Sequence, residues 1–340
     1  MNRFDGMAII DEKLYVPSAF PQVIEIIDPI NNNLHYIKLD SQIMYIAFNN
    51  ITGSMYTVDT PREKVNEYKI DDGSSTGALI NSIVLDNMSK NDIEINNNNN
   101  LLYVANSGNN TVSVINSTDN SVIDTIKVGQ NPKELALNPN DNLLYVANSG
   151  NNTVSVINST DNSVIDRIVV GANPTELALN PANNLLYVAN SGNNTVSVIN
   201  TTNNSLIKTW VTYTRVIDIL SNPLNNHVYT LTSHKVGETI SVRNSTDGSA
   251  LEKIQLNDPY NALFNQNNKL LYVISKEHNI TFVINSTNNS IIDTIIVGKA
   301  PIELALNSNN NLLYVANYGE ETISVINSTD NSIADTIKVG

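Results

Sequence analysis

The chain alternates short apolar runs with short polar breaks. Within one unit, residues 133–138 read KELALN, 143–149 read LLYVANS, 153–158 read TVSVIN and 163–171 read SVIDRIVVG. The runs are rich in Val, Ile, Leu, Tyr and Thr and about five to seven residues long, which is typical of β-strands. The breaks consist of Asn, Gly, Pro, Asp and Ser, which favour turns. Each unit therefore predicts four strands, and no window has a helical period.

This unit recurs along the whole chain. Residues 101–129 and 143–171 differ at two positions only. A tyrosine in the second run marks every copy, with spacings of 41 to 47 residues. The copies of this landmark tyrosine are Tyr15, Tyr56, Tyr103, Tyr145, Tyr187, Tyr229, Tyr272 and Tyr314. Repeats of this length are typical of propellers and solenoids.

Apolar side chains occupy both faces of the predicted strands. In the run LLYVA, Leu101 and Tyr103 point one way, and Leu102 and Val104 point the other. A β-sandwich gives most strands one polar face, whereas a propeller blade packs both faces on its neighbours. Polar residues such as Asp124 enter the third and fourth runs, as expected for an edge nearer water. The pattern predicts an all-β fold, a β-propeller of four-stranded antiparallel blades.

Eight landmark tyrosines predict eight blades in a single domain of residues 1–340. The expected blades 1 to 8 are approximately residues 1–40, 41–86, 87–129, 130–171, 172–213, 214–256, 257–298 and 299–340. Seven blades would remain if residues 1–40 did not form a true blade. One blade is too small to be stable alone, so the ring is expected to fold as one unit. It would close by packing of residues 1–40 against 299–340, without a swapped strand.

The motifs LYVAN, NNTVSVIN and TIKVG-x-NP resemble the YVTN repeat family of β-propellers, found in archaeal surface-layer proteins and in YncE-like periplasmic proteins. The resemblance is strong over residues 87–213 and 257–340, weaker over 214–256 and faint over 1–86. It implies a propeller with a role at the cell surface. Members of this family typically have seven blades, whereas this sequence predicts eight.

The net charge of the chain limits the kinds of molecule that it is expected to bind. The chain has 33 Asp and Glu against 19 Lys and Arg, a formal net charge of −14, which argues against nucleic-acid or anionic-membrane partners. No stretch approaches the ~20 apolar residues of a membrane-spanning helix, and the start MNRFDGMAII lacks a signal-sequence pattern. With the family resemblance, we expect an extracellular or cell-surface location with the leader outside this chain. A cytoplasmic location is the alternative.

The usual catalytic signals are missing from the sequence. The chain has no cysteine, which excludes disulfides, thiolate zinc sites and a cysteine nucleophile. Its histidines, His35, His227, His234 and His278, share no repeat position and have no metal-ligand spacing. The HExxH motif of zinc enzymes is absent as well. We therefore expect a non-catalytic chain that needs no cofactor.

One position in the first run departs from the family, which usually has glycine there in a Pro-x-Gly-x-Ala segment. It lies eleven residues before the landmark tyrosine and reads Asp92, Glu134, Glu176, Asp218, Asn261 and Glu303. With one deletion Asp5 aligns there in blade 1, and blade 2 has Tyr45. The first strand of a propeller blade lines the central channel. The sequence therefore predicts a binding site formed by a ring of carboxylates at the channel mouth.

Two interpretations of this ring remain open. Several carboxylates around one axis repel each other, and a hard cation such as Ca²⁺ with oxygen ligands would relieve that repulsion. Alternatively, the side chains accept hydrogen bonds from neighbouring loop amides or lie in a wide, water-filled channel. One ligand per blade is a wide spacing for Ca²⁺, which favours the second interpretation.

Asn-x-Ser/Thr sequons recur with the repeat. The candidates for glycosylation are Asn109, Asn116, Asn151, Asn158, Asn193, Asn200, Asn244, Asn285 and Asn327. Because adjacent strands alternate direction, the NNT sites are expected at one face of the disc and the NST sites at the other. Glycans there would be accessible. Equally, Asn, Ser and Thr are common turn residues, and duplication copies one accidental sequon many times.

These observations favour a non-catalytic cell-surface or envelope propeller. It would bind protein or glycan at its loop faces or build a surface layer, as a monomeric ring or as a module of a larger surface protein. Near-identical blades present near-identical loops, which suits multivalent contacts. One alternative is a metal-dependent enzyme of the lactonase or lyase kind that uses the channel carboxylates; it would need an additional base, usually His. The other is a cytoplasmic scaffold.

Overall fold

A computed structural model of the chain describes residues 7–10, 12–18, 22–28, 33–39, 45–70, 78–85, 92–212, 214–232 and 239–339. These residues form eight four-stranded sheets, in which strand order follows chain order, and one short 3₁₀-helix, Thr60–Arg62. No helix among them could span a bilayer. The predicted fold of eight antiparallel blades is confirmed. The seven-blade alternative is wrong, because strands within residues 8–38 form a sheet of their own.

The chain divides into two compact units. Unit 1 comprises residues 1–21, 25–34 and 212–340, and unit 2 comprises residues 22–24 and 35–211. Blade 1 is divided between them and contains β1 (Ala8–Ile10), β2 (Lys13–Ser18), β3 (Val23–Asp28) and β4 (Asn33–Lys38).

Unit 2 holds blades 2 to 5. Blades 2 and 3 contain β5 (Ile46–Asn49), β6 (Ser54–Asp59), β7 (Lys64–Lys69), β8 (Ala78–Val84), β9 (Ile93–Asn96), β10 (Leu101–Asn106), β11 (Thr111–Asn116) and β12 (Ser121–Lys127). Blades 4 and 5 contain β13 (Pro132–Asn138), β14 (Leu143–Asn148), β15 (Thr153–Asn158), β16 (Ser163–Val169), β17 (Pro174–Asn180), β18 (Leu185–Asn190), β19 (Thr195–Asn200) and β20 (Ser205–Val211).

Unit 1 holds blades 6 to 8. Blade 6 contains β21 (Val216–Asn222), β22 (His227–Thr232), β23 (Thr239–Asn244) and β24 (Ala250–Gln255). Blades 7 and 8 contain β25 (Pro259–Asn265), β26 (Leu270–Ser275), β27 (Ile280–Asn285), β28 (Ser290–Ile296), β29 (Pro301–Asn307), β30 (Leu312–Asn317), β31 (Thr322–Asn327) and β32 (Ser332–Lys338).

Neighbouring blades pack face to face through apolar side chains. In unit 2, Tyr145 and Val156 of blade 4 pack with Leu186 of blade 5. In unit 1, Leu14 of blade 1 packs in the same way with Tyr314 of blade 8. The first and last blades therefore pack together as expected, and each contributes its own consecutive strands.

The hydroxyl of a landmark tyrosine reaches the next blade. The Tyr103 hydroxyl donates to the backbone oxygen of Ser159 at 3.3 Å and to Oδ1 of Asn162 at 3.2 Å. Tyr229 likewise donates to Oδ1 of Asn289 at 3.1 Å. Burial raises the pKa of Tyr103 to about 12, so this hydroxyl stays a donor at neutral pH. Each such tyrosine supplies apolar contact and one polar link between blades.

The turns explain why the chain is rich in asparagine. In blade 3 the four-residue turns end at Asn100, Asn110 and Asn120, with φ angles of 58°, 60° and 61°. This left-handed region disfavours most residues with a Cβ, but Asn tolerates it. Asn also has a role at the residue directly before a turn. There, Oδ1 of Asn116 accepts a hydrogen bond from the backbone amide of Thr118 at 2.9 Å.

Gly129 is required because the side chain of Asn148 lies very close to it. Nδ2 of Asn148 donates to Oγ1 of Thr153 at 3.2 Å and to Oγ of Ser155 at 3.0 Å, which fixes its amide inside blade 4. A Cβ on Gly129 would lie 2.6 Å from Cγ of Asn148, too close for any other residue. The same arrangement recurs at Gly171 with Asn190 and at Gly298 with Asn317.

The fourth strands form the outer edges of the blades. In blade 3 the pairing with β11 shifts by one residue between Val114 and Ile115, which bulges the edge strand. Oδ1 of Asp124 accepts from the backbone amide of Thr125 at 2.7 Å. Ile123 beside the bulge is 50% exposed. A bulge and an amide covered by a carboxylate both discourage pairing with another strand.

The link between tyrosine and turn can be tested by a double-mutant cycle in blade 3. We expect Tyr103→Phe to lower the free energy of unfolding by about 1 kcal/mol, because a buried acceptor loses its donor. Asn162→Gly removes the acceptor and keeps the left-handed backbone accessible. Urea unfolding should give a double-variant loss smaller than the sum of the single losses. Strict additivity would show that the two groups do not interact.

Candidate functional site on the inner strands

The first strand of each blade, here called the inner strand, lies beside the inner strands of the adjacent blades within a unit. In unit 2 β13 contacts both β9 and β17, and in unit 1 β25 contacts both β21 and β29. Unit 2 thus places Asp92, Glu134 and Glu176 at equivalent positions of three adjacent inner strands. Unit 1 places Asp218 and Glu303 on either side of the blade with Asn261. Asp5 lies outside the described residues, and Tyr45 packs partly against the apolar cluster of blades 2 and 3.

Asp92 and Asp218 are hydrogen-bonded to the next blade. Asp92 accepts from the backbone amide of Ile93 through Oδ1 and from that of Leu135 in blade 4 through Oδ2, both at 2.8 Å. Asp218 accepts from the amide of Ala262 in blade 7 at 3.2 Å. The donors are strand amides rather than the loop amides expected from the sequence. These two side chains therefore link inner strands of successive blades.

The described residues contain no group of three or more His, Asp or Glu side chains that could hold a metal ion. This agrees with the wide spacing of one carboxylate per blade. Binding of Ca²⁺ by the carboxylate ring stays the less favoured of the two interpretations.

Glu94 is a site residue that the sequence reasoning missed. Glu94 lies on β9, two positions after Asp92, which directly precedes this strand, so the two side chains project to the same face. Glu94 lies opposite Tyr103 in the pairing with β10. The residues equivalent to Glu94 in blades 4, 5 and 8 are Ala136, Ala178 and Ala305. Alignment of the repeats would have revealed this single carboxylate in an alanine position.

Asp92 and Glu94 hold their protons more tightly than ordinary carboxyl groups. Desolvation raises the pKa of Asp92 to about 6, against the opposing effect of its two amide hydrogen bonds. Desolvation, and then the negative charge of Asp92, raise the pKa of Glu94 to about 8. Both residues are half-buried and keep some contact with solvent. At neutral pH the pair thus holds mainly one carboxylate and one carboxylic acid, side by side.

The histidines do not join this pair in the described structure. Nδ1 of His227 lies 3.0 Å from Nδ2 of Asn225 and 3.4 Å from the Tyr229 hydroxyl, on the second strand of blade 6. Nδ1 of His278 lies 3.1 Å from Oγ of Ser275. His234 is outside the described residues. On the inner strand of blade 3, the groups with raised pKa values are the carboxyl groups of Asp92 and Glu94.

The sequons lie at opposite ends of the third strands, as the alternating strand directions predict. The exposed ones, in turns between second and third strands, are Asn109, Asn151 and Asn193. The half-buried ones, each the last residue of a third strand, are Asn116, Asn158, Asn200, Asn244, Asn285 and Asn327. Oδ1 of Asn151 accepts from the Gln130 amide at 3.1 Å and from Oγ1 of Thr153 at 3.0 Å. This side chain therefore has a structural role whether or not it is glycosylated.

The chain is similar in part to a known family. Residues 86–164 and 117–216 match the family described as lactonase, 7-bladed beta-propeller. These ranges cover fewer than half of the 340 residues but include Asp92 and Glu94. The described chain has eight blades where that family has seven. No curated protein matches the chain in sequence.

Solved structures share the fold. The dihydro-heme d1 dehydrogenase NirN superposes with a TM-score of 0.77 at 10% identity, covering 96% of this chain and 73% of that chain. Hydrazine synthase of Kuenenia stuttgartiensis superposes with a TM-score of 0.59 at 15% identity, covering 80% of this chain and 90% of that chain. The β-propeller part of the sequence resemblance is confirmed, whereas the surface-layer part stays a prediction.

The raised pKa of Glu94 predicts a pH-dependent loss of stability. In the unfolded chain Glu94 ionises near its ordinary pKa, so between about pH 4.5 and 8 the folded state binds more protons and stability falls as pH rises. Glu94→Ala introduces the alanine that blades 4, 5 and 8 have at the equivalent position. Relative to wild type it should gain on the order of 1–3 kcal/mol at pH 9 and little at pH 4.

Chemical unfolding at a series of pH values measures this difference. The matched control is Ala136→Glu, which introduces the same carboxyl group into blade 4 and should create a similar loss at high pH. Parallel stability curves for wild type and Glu94→Ala would show that Glu94 ionises normally in the folded protein.

Proposed function

We propose that the chain is a β-propeller enzyme that opens a lactone or a related small ester by acid–base catalysis at Asp92 and Glu94. The observation that carries this proposal is the adjacent carboxyl pair on one inner strand, with pKa values of about 6 and 8. Two titratable groups whose environments separate their pKa values are the usual arrangement for one acid and one base. The partial match to the lactonase family includes both residues and supports the choice of substrate class.

Each carboxyl group has one role in this reaction. Asp92, oriented by the amides of Ile93 and Leu135, takes a proton from water as the water oxygen attacks the ester carbonyl carbon. Glu94 donates its proton to the ring oxygen as the bond between that oxygen and the carbonyl carbon breaks. The product is a hydroxy carboxylic acid. Transfer of the proton from Asp92 to Glu94 through solvent then restores the starting state.

This proposal is close to one alternative raised from the sequence, a metal-dependent enzyme of the lactonase or lyase kind that uses the channel carboxylates. The sequence favours the non-catalytic interpretation because its histidines share no repeat position and none aligns with the ring. Glu94 removes that objection, since a carboxylic acid with a pKa of about 8 can serve as the general acid at neutral pH. The steps proposed here require no metal ion.

Acid release from a panel of five- and six-membered lactones, followed with a pH indicator, tests the activity. We expect kcat/KM to rise as Asp92 ionises near pH 6 and to fall as Glu94 loses its proton near pH 8. Asp92→Asn and Glu94→Gln should each lower kcat/KM by roughly 100-fold to 10,000-fold. Glu252→Gln, at an exposed position of the outer strand β24, is the control and should match wild type. Absence of hydrolysis across the panel, or full activity in both variants, would refute the proposal.

A second function, binding of protein or glycan at the cell surface, is supported by a different observation. Asn109, Asn151 and Asn193 are exposed in equivalent turns of three successive blades, so they present a repeated polar surface. Repeated identical sites suit multivalent contacts and are accessible to glycosylation. This function would place the protein outside the cell.

Protease treatment of intact source cells tests this second function. We expect peptides of the chain to be released from unlysed cells, with sugar masses on exposed Asn109 and Asn151 more often than on half-buried Asn116 and Asn158, because exposed acceptors are easier to reach. Mass spectrometry of the released peptides is the measurement. Peptides that appear only after lysis would exclude the surface location.

A further inference from the structure

His227 occupies a position where five other blades have leucine. It is the first residue of β22, on the same face of the strand as Tyr229, which packs against blade 7. The equivalent residues of blades 3, 4, 5, 7 and 8 are Leu101, Leu143, Leu185, Leu270 and Leu312. The histidine side chain is half-buried. A titratable group therefore replaces an apolar one at the boundary between blades 6 and 7, within unit 1.

The neighbouring side chain of Asn225 has a fixed orientation. Its Oδ1 accepts from the backbone amide of His227 at 3.0 Å, and its Nδ2 donates to the backbone oxygen of Ser286 in blade 7. The same link between successive blades occurs in blade 3, where Nδ2 of Asn99 donates to the backbone oxygen of Ser159 at 2.8 Å. Exchange of the oxygen and nitrogen of Asn225 would break both of its bonds, so Nδ2 is the atom that faces blade 7.

This orientation of Asn225 determines which nitrogen of His227 has the proton. Nδ1 of His227 lies 3.0 Å from Nδ2 of Asn225, which can only donate. Nδ1 is therefore the acceptor, and the neutral ring has its proton on Nε2. Nδ1 also lies 3.4 Å from the hydroxyl of Tyr229, which donates to Oδ1 of Asn289 in blade 7 at 3.1 Å. A second proton, on Nδ1, would place two donors against each other.

The surroundings oppose a charge on the buried side of the ring and attract it on the exposed side. Desolvation lowers the pKa of His227, while its contact with Asn289 and the negative charge of Glu252 act in the opposite direction. Glu252 lies exposed on the outer strand β24. On its own strand the ring faces Tyr229, whose pKa is raised by burial, so this hydroxyl stays uncharged at neutral pH. Asn244, opposite His227 on β23, is uncharged.

We propose that His227 is a pH-sensitive switch at the boundary between blades 6 and 7. The neutral ring accepts from Asn225 and covers the hydrogen bonds that Asn225 and Tyr229 form to the turn at residues 286–289. The protonated ring cannot stay beside the amino group of Asn225, and it moves toward the carboxylate of Glu252. Water then competes for the uncovered bonds, so the contact between the two blades opens more readily at acidic pH.

The sign of this effect is opposite to that expected at Glu94. A histidine with a lowered pKa binds fewer protons in the folded chain than in the unfolded chain, so stability falls as pH decreases through about 6.5. The raised pKa of Glu94 instead lowers stability as pH rises. His227 lies in unit 1 and Glu94 in unit 2, so the switch is independent of the proposed enzymatic function. Glu94→Ala should keep the loss at acidic pH, which distinguishes failure of one proposal from failure of the other.

Hydrogen exchange of the intact chain, measured by mass spectrometry and corrected for intrinsic rates, tests the switch directly. Between about pH 7.5 and pH 5, we expect protection of the turn at residues 286–289 to fall by about threefold or more. The turn at residues 328–331 is the internal control. Asn268 and Tyr272 form the same bonds to it, but the residue of blade 7 that is equivalent to His227 is Leu270.

A variant separates the role of the ring from that of the turn. His227→Leu introduces the residue of five other blades, and Leu101 shows that leucine is compatible with the bonds of the preceding asparagine. We expect His227→Leu to abolish the additional loss of protection at residues 286–289 and the matching loss in urea unfolding at acidic pH. The matched control is His278→Asn, which introduces the asparagine found at this turn position in blades 3 to 5 and should behave as wild type.

Two results would overturn the proposal. One is the same pH dependence of protection at residues 286–289 in wild type and His227→Leu. The other is an equal change in wild type at residues 286–289 and 328–331, which would show that the response is not specific to the blade boundary that contains His227.

Discussion

Burial of both faces of every four-stranded sheet is the constraint on which the rest of this structure depends. A single sheet of about forty residues has no second layer of its own, so its apolar faces are covered only by neighbouring blades. Tyr145 and Val156 in one interface and Tyr314 in another are fully or almost fully buried for this reason. Inter-blade hydrogen bonds such as that from Tyr103 to Asn162 then fix how adjacent sheets align.

The same constraint explains why residues packed between blades vary little from repeat to repeat, whereas the side chains of the turns vary more. Position 129 accepts only glycine because Asn148 lies so close to it. The last residue of turns such as 107–110 has a left-handed backbone, which favours Asn. Outside these positions a turn can change its side chains and keep its hydrogen bonds, as residues 318–321 do. In a chain of near-identical repeats, equivalent positions of the blades can therefore be compared with one another. A residue that differs from its equivalents without a structural reason is a candidate for function.

Two departures of different kinds stand out in that comparison. Glu94 replaces an alanine at an inner strand, where partial burial and the nearby carboxylate of Asp92 alter its pKa. In blades 7 and 8 the turns at residues 276–279 and 318–321 have Tyr318 and several charged side chains where blades 3 to 5 have the neutral sequence SGNN. The first change alters proton binding because solvent is limited there. The second alters the charge of the surface, since these side chains are exposed to solvent.

The sequence by itself determined the strands, the turns, the blade number and the position of the inner-strand carboxylates. These follow from a local periodicity that repeats about every 42 residues. Only the tertiary structure decided that Asp92 bonds to Leu135, that Glu94 is desolvated beside Asp92, and that the turns at 276–279 and 318–321 join through Ala300. Such facts depend on distances between residues in different blades and on local solvent access, and a one-dimensional pattern contains neither.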